Sequence, residues 1–354
     1  MGSEVAFECA RMPSVECVTA AQQSTPQRPI DSGFGATSTA ADVLAGLDLT
    51  GRLAIVTGGY SGLGLEATRA LTAAGAHVLV PARRPEAAAD ALASLAHTDR
   101  VEHDTLDLAD LDSVAAFAQR VLDSGRRVDM VIDNAGVMAC PLERIGPGWE
   151  RQFATNHLGH FALVNRLAPA LAEGARVVSV SSRGHHRTPV RWDDVHYEHS
   201  EYDKWQAYGQ SKTANVLFAV HLDALARDRR VRAFALHPGG IMTPLQRHLP
   251  REELVALGWL DEDGHPGPNA GALKTPEQGA ATETWAATSP QLAGRGGVYL
   301  EDCDVASVVD ESAAVDGRGG RRNGVMPYAI DPEQAARLWA YSVELTGVDG
   351  FSGR

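Results

Sequence analysis

A short apolar run passes directly into a glycine-rich turn in the stretch Ile55-Val56-Thr57-Gly58-Gly59-Tyr60-Ser61-Gly62-Leu63-Gly64. The apolar residues favour a buried strand, and the residues that follow favour a helix. Gly58 allows a tight turn, Gly62 allows the backbone to approach a ligand, and Gly64 allows the helix to pack closely against the strand. The N-terminus of this helix supplies amide donors that suit a pyrophosphate. An isolated turn of this kind is just as often an ordinary connection.

Outward from this turn, short runs rich in β-branched residues alternate with Ala- and Leu-rich stretches of helical length. The predicted strands are Leu53–Thr57, His77–Ala82, Val101–Leu106, Val128–Asn134, Arg176–Ser181, Val231–His237 and Gly297–Leu300. The predicted helices cover residues 62–74, 86–96, 110–124, 148–172, 205–228, 277–288 and 332–345. Apolar strands separated by helices predict a doubly wound α/β fold, with a parallel sheet covered on both faces. Such sheets bind ligands at the carboxyl ends of their strands.

The alternation of strands and helices defines one domain with additions. Residues 1–45 are rich in Ser, Thr, Ala, Gln and Pro, which predicts a flexible tail, and residues 46–354 form the single α/β domain. Two stretches interrupt the alternation, at about residues 183–204 and 249–275. Because both follow late strands, we expect them to lie over the ligand edge as lids.

Composition excludes several classes of protein. A content of 44% hydrophobic and 22% charged residues excludes wholesale disorder, and a net charge of −13 argues against a nucleic-acid-binding protein. No apolar run is long enough to span a bilayer, and the first residues lack the pattern of a secretory signal. Four scattered cysteines without a C-x-x-C pair predict reduced thiols. We therefore expect a cytoplasmic protein.

Four polar residues are candidates for catalysis. Tyr208 precedes Lys212 by four positions, so a helix would place both on one face. A phenol is a poor acid–base catalyst at neutral pH, and a nearby ammonium group favours the phenolate. Ser182 follows a predicted strand and Asn156 lies within a predicted helix. Each of these residues alone also has a purely structural interpretation.

Together, and in this order along the chain, the motifs resemble those of the short-chain dehydrogenase/reductase family. The turn reads T-G-x-x-x-G-x-G, and Asp133-Asn134-Ala135-Gly136 matches the family's N-N-A-G, with Asp in place of the first Asn. The resemblance implies a Rossmann fold and hydride transfer between a nicotinamide and a carbonyl carbon. It implies that Ser182 and Tyr208 hold the substrate oxygen and that Tyr208 transfers the proton. Lys212 would lower the pKa of Tyr208 and bind the nicotinamide ribose, and Asn156 would complete a proton relay.

The resemblance also implies a set of cofactor contacts. Asp107 and Leu108 would touch the adenine, the segment Asn134–Gly136 the adenine ribose, and the segment Pro238–Thr243 the nicotinamide amide and the phosphates. The implied cofactor residues are Gly58, Tyr60, Ser61, Gly62, Leu63, Gly64, Asp107, Leu108, Asn134, Ala135, Gly136, Tyr208, Lys212, Pro238, Gly239, Ile241 and Thr243.

The end of the second predicted strand distinguishes between the nicotinamide cofactors. An acidic residue there would accept hydrogen bonds from the ribose of NAD, but Ala82 holds that position and Arg83 and Arg84 follow. Guanidinium groups suit a phosphate, so we predict NADP(H), with Arg83 the favoured partner of the 2′-phosphate. The alternative is that both arginines begin a solvated helix. The histidines of the first insertion lack metal-ligand spacing, so no metal site is predicted.

Ser182 and Tyr208 are 26 positions apart, a longer separation than is usual in the family. This insertion, the segment Lys274–Ala281 and the ending Gly297–Cys303 resemble the retinol-dehydrogenase and WW-domain-oxidoreductase-like branch. We expect reduction of a ketone or aldehyde on a lipophilic small molecule, polycyclic compounds included. The sequence leaves the oligomeric state open; in a homodimer we expect the helices at 148–172 and 205–228 to form the interface, as they often do in the family. Two alternatives are a C=C reductase of the protochlorophyllide-reductase type and a non-catalytic NADP-binding sensor or scaffold.

Overall fold

A computed structural model describes residues 25–309 and 323–352. Its strands alternate with helices along most of the chain. In chain order the strands are β1 Leu53–Val56, β2 His77–Ala82, β3 Val101–Thr105, β4 Val128–Asp133, β5 Arg144–Ile145, β6 Trp149–Glu150, β7 Leu171–Val180, β8 Arg232–His237, β9 Val298–Glu301 and β10 Asp304–Val305.

The helices differ widely in length. In chain order the α-helices are α1 Ala40–Leu44, α2 Gly62–Ala73, α3 Pro85–Leu92, α4 Leu111–Asp123, α5 Arg151–Phe153, α6 Gly159–Leu167, α7 Lys204–Ala226, α8 Arg251–Ala256, α9 Pro276–Gly279, α10 Ala281–Thr288 and α11 Pro332–Thr346. A π-helical turn, Ala154–Leu158, joins α5 to α6. Short 3-10 turns cover Thr98–Arg100, Arg183–Arg187, Arg227–Arg229, Pro244–His248, Ala270–Ala272, Pro290–Leu292 and Pro327–Ala329.

Eight strands form one sheet in the order β10-β9-β8-β7-β4-β1-β2-β3, and β5 and β6 form a separate hairpin. All neighbours in the large sheet run parallel except β10, which is antiparallel to β9. This confirms the doubly wound α/β prediction. The chain winds from β1 outward through β2 and β3, and then from β4 outward through β7 and β8. The crevice above the carboxyl ends of β1 and β4 is therefore the switch point where ligands bind.

Both faces of the sheet are buried, which explains why its central strands read as continuous apolar runs. One core lies between the sheet and α4, α6 and α7, and includes Phe117, Phe161 and Leu222. The other lies against α2, α3 and α10, and includes Leu71 and Trp285. These two layers hold the central strands rigidly, so the residues at their carboxyl ends are fixed in position.

The helix predicted over residues 148–172 is too long at both ends. Trp149 and Glu150 belong to the hairpin, and the chain leaves the helix after Leu167 to begin β7 at Leu171. Leu171 pairs with Val128, and the register shifts before Arg176 pairs with Met130. Gly174, with φ of +81°, allows this irregularity. Pairing with a strand far away in the sequence thus overrides the local helical composition.

The tail predicted to be flexible over residues 1–45 is folded wherever the structure describes it; residues 1–24 lie outside the described residues. The Gln27 amide donates to the carbonyl oxygens of Tyr299 and Ala306, at 2.8 and 2.7 Å. The backbone N–H of Ile30 donates to Asp304 at 2.9 Å. Residues 25–35 therefore satisfy polar groups at the β9–β10 edge of the sheet, which would otherwise be exposed.

The C-terminal helix covers the helices that we expected to mediate dimerisation. Trp339 of α11 lies 4.8 Å from the ring of Phe161 on α6 and stacks on Phe218 of α7 at 6.0 Å. A homodimer formed through α6 and α7 would have to displace α11. Within the described ranges, no helix is both long and apolar enough to cross a membrane.

Candidate active site

A cavity of about 990 Å³ opens above the carboxyl ends of the central strands. The glycine turn after β1 and the residues after β4 form one side of it, and Ser182, Tyr208 and Lys212 form its floor. Residues of both insertions, among them Arg187 and Trp259, line the rest. The chain thus brings three of the four predicted catalytic residues to the surface of one cavity.

Tyr208 and Ser182 are hydrogen-bonded neighbours. Tyr208 lies in the first turns of α7 and is 4% exposed, and burial raises the pKa of its phenol to about 12 against the opposing effect of a hydrogen bond with the Ser182 side chain. The Ser182 Oγ also accepts from the backbone N–H of Gly184 at 3.0 Å. The hydroxyl groups of Ser182 and Tyr208 therefore lie next to each other. This arrangement is required of two groups that bind the same substrate oxygen.

Lys212 lies one turn after Tyr208 and points the same way. Its Nζ lies 5.8 Å from the centre of the Tyr208 ring and donates to the carbonyl oxygen of Val180 at 2.8 Å. Burial lowers the pKa of Lys212 to about 7. At Tyr208 the effect that opposes burial comes from Ser182, and a lowering of the pKa of Tyr208 by Lys212 stays a prediction.

Asn156 lies in the π-helical turn, an irregularity that occurs often at functional sites. Its side chain exchanges two hydrogen bonds with the backbone of Val137, receiving one at 2.8 Å and donating one at 2.9 Å. A Cβ atom on Gly136 would lie 3.1 Å from Asn156 Oδ1 and 3.7 Å from Lys212 Nζ. Asn156 therefore holds the loop after β4 beside Lys212. It thus lies at the same site as Ser182, Tyr208 and Lys212.

His160 was missed by the sequence analysis. Its Nδ1 lies 3.0 Å from the carbonyl oxygen of Asn156, and its Nε2 lies 2.9 Å from Thr57 Oγ1. Because burial lowers the pKa of His160 to about 4 and a carbonyl only accepts, Nδ1 carries the hydrogen and Thr57 donates to Nε2. The imidazole ties Asn156 to the residue before the glycine turn. Its spacing of four residues from Asn156 is the signal that could have revealed it.

His185 was also missed as a support of Ser182. Its Nδ1 lies 2.7 Å from the Ser182 carbonyl oxygen, and its Nε2 accepts from the backbone N–H of Met326 at 3.2 Å. Burial lowers the pKa of His185 to about 3, so the ring is neutral at physiological pH. The segment before α11 thereby holds the turn that carries Ser182. The sequence separation of 141 residues explains why no local pattern could show it.

The glycine turn fits a dinucleotide. Gly58 and Gly62 have φ of +67° and +53°, and a Cβ atom on Gly64 would lie 2.5 Å from the Gly58 carbonyl oxygen. Ser61 begins α2 without a side-chain cap, which leaves the first amides of the helix for a phosphate. Most of the predicted cofactor residues line the cavity: Gly58, Tyr60, Ser61, Gly62, Leu63, Arg83, Arg84, Asn134, Ala135, Gly136, Tyr208, Lys212, Pro238, Gly239, Ile241 and Thr243.

Three predicted cofactor residues lie behind the cavity wall. Gly64 serves the close packing of α2 on the turn, as its spacing implied. Asp107 accepts from the backbone N–H of Ala109, and the backbone of Leu108 lies so close to Gly159 that a Cβ atom there could not fit. These contacts give Asp107 and Leu108 structural roles at the sheet edge, and an adenine contact for either stays a prediction.

Two hydrogen bonds, here called the latch, join the two insertions close to Tyr208. Glu253 of α8 accepts from Lys204 Nζ at 2.5 Å and from Trp205 Nε1 at 2.6 Å. Trp205 packs in an apolar cluster with Met138, Tyr208 and Leu249. The wall beside the Tyr208 side chain is therefore apolar, and the latch holds it in place.

The histidines of the first insertion do not converge on one point. His185 and His186 each bond to a different backbone carbonyl, and His196 accepts from the N–H of Glu150. In the described ranges, one group of possible metal ligands comes together, formed by Asp261, Asp263 and His265 in the second insertion. It lies away from the cavity lining, and the absence of a catalytic metal stays a prediction.

The chain is similar in sequence to known proteins. The model of a family described as short chain dehydrogenase matches residues 52–254. A probable oxidoreductase from Streptomyces lividans is 46% identical over 303 residues, which cover 84% of this chain and 98% of that protein. Retinol dehydrogenase 13 from Homo sapiens is 33% identical over 318 residues, which cover 86% of this chain and 88% of that protein.

Solved structures of other proteins have the same fold. An uncharacterized protein from Mycobacterium paratuberculosis superposes with a TM-score of 0.67 at 32% identity, covering 90% of this chain and all of that one. The active-site complex of Pseudomonas aeruginosa RhlG with NADP superposes with a TM-score of 0.55 at 26% identity, covering 72% and 95%.

Proposed function

Because the chain belongs to the short-chain dehydrogenase/reductase family of oxidoreductases, in its retinol-dehydrogenase-like branch, we propose that it reduces the carbonyl group of a lipophilic small molecule with NADPH. Ketones and aldehydes are the proposed substrates, polycyclic compounds included, and the corresponding alcohols are the products. The proposed site of action is the cytoplasm.

The observation that carries this proposal is the hydrogen-bonded pair of Ser182 and Tyr208 beside the apolar wall of the cavity. Bound NADPH would supply the hydride. Ser182 and Tyr208 would hold the substrate oxygen between their hydroxyl groups, and Tyr208 would donate the proton to it. A phenol whose pKa is raised to about 12 is protonated at neutral pH, so Tyr208 carries the proton that reduction of a carbonyl group uses.

Lys212 and Asn156 would support the proton transfer. Because burial lowers the pKa of Lys212 to about 7, its ammonium group can lose and regain a proton near neutral pH. Asn156, held by Val137 and supported by His160, would keep the loop after β4 beside Lys212. Proton supply to Tyr208 would then run along the buried side of α7.

The donor set of the cavity fits a phosphorylated dinucleotide. The N-terminus of α2 would hold the pyrophosphate, and Arg83 and Arg84 would hold the 2′-phosphate. Tyr208 and Lys212 would contact the nicotinamide ribose, and Ile241 the carboxamide. No carboxylate of the described residues lines the cavity, so nothing there would repel the 2′-phosphate of NADP.

The proposal is tested by following NADPH oxidation with a panel of ketones, aldehydes and enones, and NADP⁺ reduction with alcohols. We expect turnover of lipophilic ketones or aldehydes in the dark. Reduction of enones alone, dependent on light, would instead support a C=C reductase. NADPH binding without turnover across the whole panel would support a non-catalytic sensor.

A further inference from the structure

The charged side chains that line the cavity are opposite in sign to the net charge of the chain. The protein carries a net charge of −13, yet no Asp or Glu lines the cavity within the described part of the chain. Its charged lining is entirely cationic and consists of Arg83, Arg84, Arg183, Arg187, Lys212 and Arg247. A concave surface with charges of one sign concentrates ligands of the opposite sign.

Two parts of the chain that lie far apart in sequence bring Arg83 and Arg84, on one side, and Arg187, on the other, to the cavity. Arg83 and Arg84 follow β2, beside the glycine turn, where the proposed cofactor carries its phosphates. Arg187 lies in the first insertion, on the side of Tyr208: a Cβ atom on Gly209, the next residue after Tyr208, would lie 3.1 Å from the Arg187 Cβ. The phosphates of NADPH would account for Arg83 and Arg84, and they would leave Arg187, on the side of Tyr208, without an anion.

Arg187 sits over an aromatic wall at the mouth of the cavity. Its guanidinium carbon lies 5.1 Å from the centre of the Trp205 ring, and that ring lies edge-on to Tyr208 at 6.4 Å. Arg187 is exposed, so a ligand can reach it. Trp205 thus lies between the Tyr208 ring and the positive charge of Arg187 and contacts both.

In the described ranges, no carboxylate competes for this guanidinium. Among the described residues, Arg187 forms no ion pair. The carboxylate that contacts Trp205, that of Glu253, already uses one oxygen for Trp205 Nε1 and the other for Lys204. The planar donors of Arg187 therefore stay available, in a geometry that matches a carboxylate.

We propose that Arg187 binds a carboxylate of the substrate, so that the substrate is a carbonyl compound with an apolar body and an acidic group. The apolar body lies against Trp205, Leu257 and Trp259, the carbonyl oxygen lies at Ser182 and Tyr208, and the carboxylate lies at the mouth of the cavity. This inference rests on the proposed function, because it takes the carbonyl site as given.

The competing explanation is that Arg187 only stacks on Trp205 and stabilises the insertion. The chain offers a matched control for it. Arg337 on α11 lies 4.3 Å from the centre of the Trp192 ring, in the same kind of cation–π contact but away from the cavity. Replacing either arginine by Met removes one such contact, and only the first replacement removes a cavity charge.

Binding of two unreactive probes tests the proposal without catalysis. Naphthalene carboxylate and the neutral naphthalene carboxamide are titrated calorimetrically into the full chain, the Arg187→Met variant and the Arg337→Met variant. We expect the unmodified chain and Arg337→Met to favour the carboxylate by about tenfold, the magnitude of a charge-assisted hydrogen bond, and Arg187→Met to lose this preference. Arg187→Lys should keep part of it.

Three results would overturn the proposal: no preference in the unmodified chain, the same preference in Arg187→Met, or its loss in both Met variants. An acetylnaphthoate and its methyl ester then test catalysis. The ratio of their kcat/KM values should fall about tenfold in Arg187→Met and stay unchanged in Arg337→Met. If no ketone is reduced at all, the proposed function fails, while the binding preference still decides the role of Arg187.

Discussion

Gly184 lies directly against the ring of Tyr208. A Cβ atom at position 184 would lie 2.9 Å from Cε1 of that ring and 3.4 Å from Ser182 Oγ. The Gly184 backbone and the Tyr208 ring are therefore in contact beside the hydrogen-bonded hydroxyl groups of Ser182 and Tyr208. The only side chain that fits between the Ser182 turn and α7 is the hydrogen atom of glycine.

Replacing Gly184 by Ala should displace the Tyr208 ring or the Ser182 turn. We expect kcat to fall by about 100-fold, since a displacement of about 1 Å costs that much in a positioned site, and NADPH affinity to change little. Gly35→Ala is the control, because a Cβ atom there meets open space. An unchanged kcat in Gly184→Ala would show that the contact does not position Tyr208.

Replacing Tyr208 by Phe should remove the proton donor and keep the ring. We expect turnover to fall by about 10²- to 10⁴-fold, with NADPH binding, measured by fluorescence titration, nearly unchanged. Tyr341→Phe removes a hydroxyl group that lies 3.2 Å from His196, outside the cavity, and should retain activity. Retention of most turnover in Tyr208→Phe would refute the assignment.

Replacing Arg83 by Ala should weaken NADPH binding selectively. We expect the dissociation constant for NADPH to rise by about tenfold or more, and that for NADH to stay nearly constant, because only the phosphorylated cofactor uses the guanidinium. Arg84→Ala shows which arginine dominates, and Arg337→Ala serves as a remote control. An unmodified chain that prefers NADH, with no effect of Arg83→Ala, would exclude the proposed cofactor.

Glu283 should make the protein less stable as the pH rises. Burial raises the pKa of this carboxyl from 4.5 to about 8, and neither oxygen has a hydrogen-bond partner among the described residues. Between these two pKa values the folded state holds a proton that the unfolded state has lost, so the free energy of unfolding falls with increasing pH. The slope for one group is about 1.4 kcal/mol per pH unit.

Glu283→Gln removes this dependence. We expect the variant to gain stability over the unmodified chain progressively from pH 5 to about pH 8, with a constant difference above that pH, as measured by urea denaturation. Glu344→Gln, on the exposed side of α11, should show no such trend. A difference that is independent of pH would mean that Glu283 is not the titrating group.

The fold was predictable because its determinants are local. Strand segments buried on both faces, such as residues 54–56 and 130–132, must be apolar throughout, and a glycine turn between strand and helix needs its glycines at set positions. The prediction failed where pairing partners are distant. Nothing near Leu171 shows that it pairs with Val128, and nothing near Gln27 shows that it completes the edge beside Tyr299.

The sequence by itself determined the order of Asn156, Ser182, Tyr208 and Lys212 on their elements, because residue type and spacing are local properties. The tertiary structure alone decided what surrounds them. Burial raises the pKa of Tyr208 to about 12 and lowers that of Lys212 to about 7. His160 and His185 connect the site to Thr57 and Met326, which lie far from them in the sequence. Desolvation and hydrogen bonding depend on every chain segment packed against a group, so only the assembled fold determines them.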